Sequence, residues 1–277
     1  MKEPLRKKFL KFALVGGIGS VITISLTFIF TQYFHWWYIF SLIMATLVAM
    51  MSNFYMNNYW TFANTKSSSA PDYDWDAFYN GNPIQRWWKQ QIAQRVISMI
   101  EGEYIMDFGC GSSPICTLLN GQHYHGIDGD MGKIEFMRSR KLQNRQFAQA
   151  TLDDLHLKAI SGELPEYDTS MTIEVIEHMP NINKAQNLMN CLSKATAIGG
   201  VVIVATPNYD SRLWRAIEKI YGLFMYQAYA YDHVTRLNER MLIDLGRNAG
   251  LFHEKTDMLL GADMVCKFRK VSYVSVV

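Results

Sequence analysis

The fold is decided by the stretch YIMDFGCGSSPICTLLNGQHYHGIDGD, residues 104–130. A short apolar run ends at Asp107, and Gly109 and Gly111 follow where a chain must turn sharply and let a ligand approach the backbone. A second apolar run ends at Asp128, whose carboxylate can accept hydrogen bonds from two ribose hydroxyls. The stretch therefore predicts a nucleoside-binding strand, a turn and a second strand.

The spacing of the glycines alone leaves the kind of nucleoside open. Two glycines in a turn also occur in ordinary tight turns of other α/β domains. Pro114 stands where a dinucleotide fingerprint would place its third glycine. The missing glycine disfavours a dehydrogenase but does not by itself choose another ligand.

The stretch resembles motif I of the class I S-adenosylmethionine-dependent methyltransferases, and the resemblance covers about residues 75–277. It continues through Glu174–His178 and through Gly199–Asn208, and is strongest to the small-molecule and quinone O-methyltransferase branch. It implies a Rossmann-like, seven-stranded α/β sheet with S-adenosyl-L-methionine as cofactor. The residues that it implies for cofactor binding are Asp107, Gly109, Gly111, Asp128, Thr151, Leu152, Asp153 and Glu174, with 151–153 beside the adenine.

Apolar segments alternate with helical patterns after residue 130, which predicts a parallel sheet with its ligands at the carboxyl ends of the strands. Gly199 and Gly200 are expected to form the turn into the fifth strand, and Gly261 the turn of a final hairpin. The aromatic-rich segment 209–237 is interpreted as a substrate lid, with a helix packed on the domain surface as the alternative.

A long uncharged run precedes this domain. From Phe12 to Thr65 the chain has no Asp, Glu, Lys or Arg, whereas one membrane helix needs about 20 apolar residues. We predict two transmembrane helices, residues 12–34 and 38–62, with His35, Trp36 and Trp37 in the turn between them. The run also resembles the first half of GtrA-like membrane proteins, which have four spans.

The domain organisation follows from this division. Residues 1–62 are predicted to form the transmembrane hairpin, 63–71 a short linker and 72–277 the methyltransferase domain. Five cationic residues before the first span place both ends of the hairpin in the cytosol by the positive-inside rule, namely Lys2, Arg6, Lys7, Lys8 and Lys11. The expected location is a multi-pass membrane protein with its catalytic domain on the cytoplasmic side.

Net charge and cysteine usage restrict the remaining classes of partner. The formal charge is only +2, which gives no reason to expect nucleic acid. The four cysteines lack paired metal spacing, and we expect them to be reduced, buried thiols.

The predicted chemistry needs a base more than a nucleophile, because the sulfonium already activates the methyl group. His178, just after the fourth strand, is the candidate base for a hydroxyl acceptor. Glu174, Glu177, His178 and His233 have the residue types of a divalent-ion site, and similar arrangements occur in metal-dependent relatives. A divalent cation such as Mg²⁺ is therefore the alternative role for this group.

Two functions follow from these observations. The first is a membrane-anchored methyltransferase (EC 2.1.1.-) acting, at oxygen, on a small-molecule or lipid-linked acceptor such as a quinone precursor or a polyprenyl-linked glycan. The alternative is a non-catalytic, nucleoside-binding membrane protein with a regulatory or assembly role. The intact acidic and glycine positions of residues 107–128 favour the first.

Overall fold

A computed structural model describes residues 5–57, 70–81, 83–224 and 233–271. The chain divides into two compact units. One unit contains the two N-terminal apolar helices, and the other contains the sheet and the helices that cover it.

The apolar unit is a pair of helices, α1 (Leu5–Gln32) and α2 (Tyr38–Met56). Both are long and apolar enough to cross a membrane, over Phe9–Gln32 and Tyr38–Met56. The second helix begins where the sequence predicted, while residues 58–62 of the predicted span lie outside the described residues. Most large apolar side chains of the pair are exposed, as Phe28 and Met50 are, and such a surface is suited to lipid.

Small residues bring the two helices together. Val15 of α1 and Ala45 and Ala49 of α2 are buried. A Cβ atom added at Gly19 would lie 2.2 Å from the side-chain nitrogen of Asn53. A side chain at position 19 would displace that of Asn53, so glycine lets the two helices approach closely here, as is common where membrane helices pack.

The second unit is built on one seven-stranded sheet with the order β3-β2-β1-β4-β5-β7-β6. Strands β1 to β5 are parallel, and β7 pairs antiparallel with both β5 and β6. The strands are β1 (Tyr104–Phe108), β2 (His123–Asp128), β3 (Arg145–Gln149), β4 (Tyr167–Ile173), β5 (Thr196–Pro207), β6 (Leu251–Leu259) and β7 (Asp263–Lys270). This sheet confirms the predicted fold class.

Helices cover both faces of the sheet. They are α3 (Tyr73–Tyr79), α4 (Pro83–Ile97), α5 (Met131–Ser139), α6 (Leu152–Ser161), α7 (Ile182–Ala195) and α9 (Glu239–Asn248), while a further helix, α8 (Arg212–Phe224), follows β5 in the chain. On one face, Leu155 of α6, Leu188 of α7 and Leu242 of α9 belong to one buried cluster. On the other face Ile92 of α4 and Ile134 of α5 belong to a second cluster. The two cores hold the carboxyl ends of β1, β2 and β4 side by side.

One local prediction needs correction. Gly199 and Gly200 do not form a turn before the fifth strand, because β5 already begins at Thr196 and runs through them with a shift in its pairing to β4. Segment 209–237 contains a regular helix, α8, whose Trp214 is buried; residues 225–232 of that segment lie outside the described residues, and its role as a lid stays a prediction. The hairpin turn at Gly261 is confirmed, with φ of 67°.

Candidate functional site

The loop after β1 is shaped by two glycines that no other residue can replace without strain. Gly109 and Gly111 have φ of 77° and 51°, which is the left-handed region that favours glycine. A Cβ atom at position 109 would lie 2.3 Å from Cγ2 of Val175. The backbone N–H of Gly109 donates to the carbonyl of Ile127, 2.7 Å away. The loop thus lies tightly against the ends of both neighbouring strands.

The carboxylate of Asp128 is fixed at the end of β2. Its Oδ2 accepts a hydrogen bond from the N–H of Gly111 at 2.8 Å, and its Oδ1 accepts one from the N–H of Asp130, also at 2.8 Å. Two backbone donors set the plane of this half-buried carboxylate. Each carboxylate oxygen has a further lone pair that can accept a hydrogen bond from a ligand.

Asp107 lies at the centre of the cleft and is fully buried. Its Oδ2 accepts from the hydroxyl of Tyr124 at 2.7 Å, whereas its Oδ1 has no hydrogen-bond partner among the described residues. Burial, with a smaller contribution from the charge of Asp128, raises the pKa of Asp107 to about 7. An unpaired buried oxygen of this kind is costly, so the site is built to receive a donor.

The three predicted adenine positions lie at the same edge of the sheet. The N–H of Ala150 donates to the carbonyl of Asp128 at 3.1 Å, which places residues 151–153 beside the end of β2. The Thr151 hydroxyl already caps α6 together with Asp154. Asp153 is exposed and pairs with Lys184 at 2.6 Å, and Leu152 packs against the core. Their side chains therefore have structural contacts of their own.

Two helices that precede β1 close the other side of the cleft. A cavity of about 40 Å³ is lined by Asp74 of α3, Lys89 of α4, Asp107, Gly109 and Glu174. Lys89 donates to the carboxylate of Glu174. Glu174 itself has φ of 56°, an uncommon backbone conformation for a residue with a side chain. The sequence did not point to Asp74 or Lys89, because nothing local relates them to residues far along the chain.

A second group of polar residues follows β4. Glu177, His178 and His233 have ligand atoms within 4.8 Å of one another. The carboxyl of Glu177 is buried and accepts from the Thr206 hydroxyl at 3.0 Å, and burial raises its pKa to about 8. Glu174 does not belong to this group, because its carboxylate pairs with Lys89. The predicted set of four is therefore reduced to three.

Aromatic side chains surround the two histidines. The His178 and His233 rings meet edge to face with their centroids 4.8 Å apart, and Trp214 stacks on His233. The hydroxyl of Tyr209 lies 2.9 Å from Nδ1 of His233 and donates to Glu218 at 3.1 Å. His178 is exposed, and His233 is half-buried. The pair thus offers an accessible imidazole beside an apolar wall.

Comparison with known families identifies the larger unit. The model of a family described as "Methyltransferase domain" matches residues 82–253. The chain belongs to this family. A second model, the GtrA/DPMS transmembrane domain, matches residues 11–80. A search of curated proteins finds no match.

Solved methyltransferases share the fold of this methyltransferase at low sequence identity. Magnesium protoporphyrin IX methyltransferase from Synechocystis PCC 6803, with bound SAH, has a TM-score of 0.53 at 15% identity over 73% of this chain and 95% of its own. A possible histamine N-methyltransferase from Thermotoga maritima gives 0.51 at 17% identity over 71% and 99%. A complex from Haloferax volcanii of a methyltransferase activator and a putative methyltransferase gives 0.56 at 13% identity over 76% and 100%.

These findings confirm the predicted enzyme class, an S-adenosylmethionine-dependent methyltransferase, and its cofactor. The cleft fits this cofactor on its own evidence. The positive φ angles of Gly109 and Gly111 fold the loop back onto the ends of the strands, and Asp128 presents an oriented acceptor beside it. The unpaired oxygen of Asp107 can accept from a ligand donor, and an ammonium group is a suitable one.

The predicted thiols agree with the structure as well. All four cysteines are free and buried, and burial raises the pKa of Cys116 to about 12. Such thiols are poor nucleophiles at neutral pH. The methyltransferase therefore has no thiolate that would compete with an acceptor.

Proposed function

We propose that this protein is a membrane-anchored methyltransferase that transfers a methyl group, at oxygen, to a small-molecule or lipid-linked acceptor such as a quinone precursor or a polyprenyl-linked glycan. The observation that carries the proposal is the order of parts in one chain. Two candidate membrane spans are followed directly by a methyltransferase domain. A domain tethered in this way works at the membrane surface, where apolar acceptors are concentrated.

The residues at the carboxyl ends of β1, β2 and β4 would hold the cofactor. Asp128 would accept from the ribose hydroxyls, and residues 151–153 would border the adenine, with their backbone groups as the available contacts. Asp107 and Glu174 would face the methionyl end. S-adenosyl-L-methionine supplies an activated methyl group, so that the protein needs to align the acceptor and exclude water.

His178 would take the proton of a hydroxyl acceptor as the methyl group is transferred. Three features support this role: the imidazole is exposed, it lies just after β4, and it meets the ring of His233, on which Trp214 stacks. The proton leaves the acceptor oxygen for a ring nitrogen of His178 and then passes to solvent. The buried Glu177 is poorly suited to be the first acceptor because it has no exposed surface.

A divalent cation is the alternative role for the same group. Glu177, His178 and His233 offer one carboxylate oxygen and two imidazole nitrogens. This donor set suits Zn²⁺, Mn²⁺ or Fe²⁺ better than Mg²⁺, which prefers an all-oxygen shell. Activity that survives exhaustive chelation and is not raised by any of these ions would remove the metal role and leave the base role.

The proposed placement has both ends of the hairpin in the cytosol, which puts the methyltransferase domain where its cofactor is made. The cationic residues before α1 and at its start, including Lys7, Lys8 and Lys11, support this orientation. The turn between the two helices, at the other end of α1, contains no Lys or Arg. The formal charge of +2 gives no reason to propose a nucleic-acid partner.

The proposal is tested by following a labelled methyl group. Full-length protein in native membranes is incubated with S-adenosylmethionine carrying a deuterated methyl group, and the lipid and small-molecule fractions are compared by mass spectrometry with those from an Asp128→Ala variant. A labelled species that requires the parent protein supports the proposal. Cofactor binding without labelled product in either fraction would favour the non-catalytic, regulatory alternative.

A further inference from the structure

Carboxylates dominate the charged lining of the cavity beside the glycine loop. Asp74, Asp107 and Glu174 line the cavity, and Lys89 is the one cation among the described residues that line it. The buried Asp263 carboxyl, which accepts from the Trp88 indole, adds a fourth acidic group nearby. Lys133, whose ammonium lies 3.9 Å from Oδ2 of Asp74, is a second cation beside the glycine loop but does not line the cavity, so Lys89 is the cation that an anionic group in the cavity would meet.

Lys89 is held in place from two sides. Its ammonium donates to Glu174 and lies 3.9 Å from Oδ1 of Asp74. Asp74 is fixed in turn on the glycine loop, because its N–H donates to the buried Ser112 hydroxyl at 3.1 Å. Only about a fifth of the Lys89 side chain is exposed. The charge is therefore positioned before any ligand arrives.

Lys89 lies beside the glycine loop and not beside the His178–His233 pair. The carboxylate of Asp74 lies against Gly111, where an added Cβ atom would come within 2.8 Å of its Oδ2. The cavity reaches Gly109 and Asp107 but not His178 or His233. A carboxylate that enters this cavity thus meets Lys89, whereas Asp128 lies outside the cavity lining.

We infer that Lys89 is the residue that recognises the α-carboxylate of the cofactor's methionyl group, with Asp74 as the residue that positions it. This inference rests on the proposed function. S-adenosylmethionine and its product S-adenosylhomocysteine carry this carboxylate, whereas 5′-methylthioadenosine has the same adenosine thioether without the amino-acid end. Lys89 should therefore contribute to the binding of the first two compounds and not to the binding of the third.

The test compares two ligands across matched variants of the full-length protein in detergent micelles, by calorimetry. For Lys89→Gln we expect S-adenosylhomocysteine affinity to fall about ten- to hundredfold, as for loss of a charged hydrogen-bond partner. We expect 5′-methylthioadenosine affinity to change less than about threefold. Lys89→Arg, which keeps the charge, should restore most of the lost affinity.

The control is Arg95→Gln on the same helix. Arg95 also pairs with a carboxylate, that of Asp257 at 3.1 Å, and has nearly the same exposed fraction, 22% against 20%. It does not line the cavity, so we expect both affinities to be those of the parent.

Two results for Lys89→Gln would overturn the inference. Equal losses for both ligands in Lys89→Gln would show that Lys89 only supports the loop, and unchanged affinity for both would show that it takes no part. Either result overturns the inference while leaving the proposed function intact. A parent protein that binds neither S-adenosylmethionine nor S-adenosylhomocysteine overturns the proposed function and this assignment with it.

Discussion

The N–H of Gly111 donates to Oδ2 of Asp128 at 2.8 Å, which joins the glycine loop after β1 to the end of β2. A second N–H, that of Asp130, donates to Oδ1 of the same carboxylate. One acidic side chain therefore shapes the loop and presents acceptor lone pairs to the cleft. A substitution at this position should affect loop and ligand together.

Asp128→Asn should weaken S-adenosylhomocysteine binding about ten- to hundredfold, because the amide turns one acceptor into a donor that opposes an existing N–H. The matched control is Asp168→Asn at the start of β4, where a carboxylate also accepts from two backbone groups, the N–H of Glu103 and of Tyr104. Asp168 lies near the amino-terminal end of β4, at the other end of the strands from the glycine loop. Calorimetry should show parent affinity for the control, and equal losses for both variants would contradict the assignment.

His178→Ala should lower turnover about a hundredfold or more and leave cofactor affinity nearly unchanged, as expected for loss of a general base. His123→Ala is the control, since His123 is also exposed but stacks on Tyr104 at the opposite sheet edge. If His178 is instead a metal ligand, Glu177→Gln should reproduce the loss together with a loss of metal dependence. Turnover of His178→Ala within a few fold of the parent would exclude both roles.

The buried Asp263 should make stability fall as pH rises. Burial raises its pKa from 3.8 to about 7. Between these values the native state keeps a proton that the unfolded chain has released, so the free energy of unfolding falls by about 1.4 kcal/mol per pH unit for this one group. Asn does not titrate. The thermal midpoint of Asp263→Asn relative to the parent should therefore rise from pH 5 to pH 8.

A control for this pH effect is Glu254→Gln. Its hydrogen bond from Arg269 lowers the pKa of Glu254, so that any stability it contributes is already complete above the ordinary glutamate value and is lost only in acid. Its thermal midpoint relative to the parent should be flat from pH 5 to pH 8. A flat profile for Asp263→Asn as well would show that Asp263 is ionised throughout.

The orientation of the hairpin is accessible to cysteine labelling, because the four native thiols are buried and give little background. Phe34→Cys places a thiol in the exposed turn between α1 and α2, and Ser68→Cys places one after the second span. In intact cells a membrane-impermeant maleimide should label the first variant and leave the second unlabelled until the membrane is opened. Labelling of Ser68→Cys in intact cells would contradict a cytosolic catalytic domain.

The larger features of this protein could be predicted from short stretches of its sequence. Residues 104–130 indicated the nucleoside-binding strands, because glycines at a strand end followed by an acidic residue at the next strand end have few other uses. The uncharged run indicated α1 because an unbroken apolar stretch of that length has few alternatives to a membrane helix. These signals are local, and each is contained in a short window of the chain.

Which side chains share a site could not be predicted from the sequence, because it depends on how distant elements pack together. Lys89 and Glu174 are distant in sequence, and no local pattern relates them, yet packing of α4 on the sheet brings them into contact. Glu174 and Glu177 are neighbours in sequence, but the backbone turn at Glu174 sends one carboxylate to Lys89 while the other is buried beside Thr206. Periodicity predicts the elements, whereas long-range packing of those elements sets the direction of each side chain.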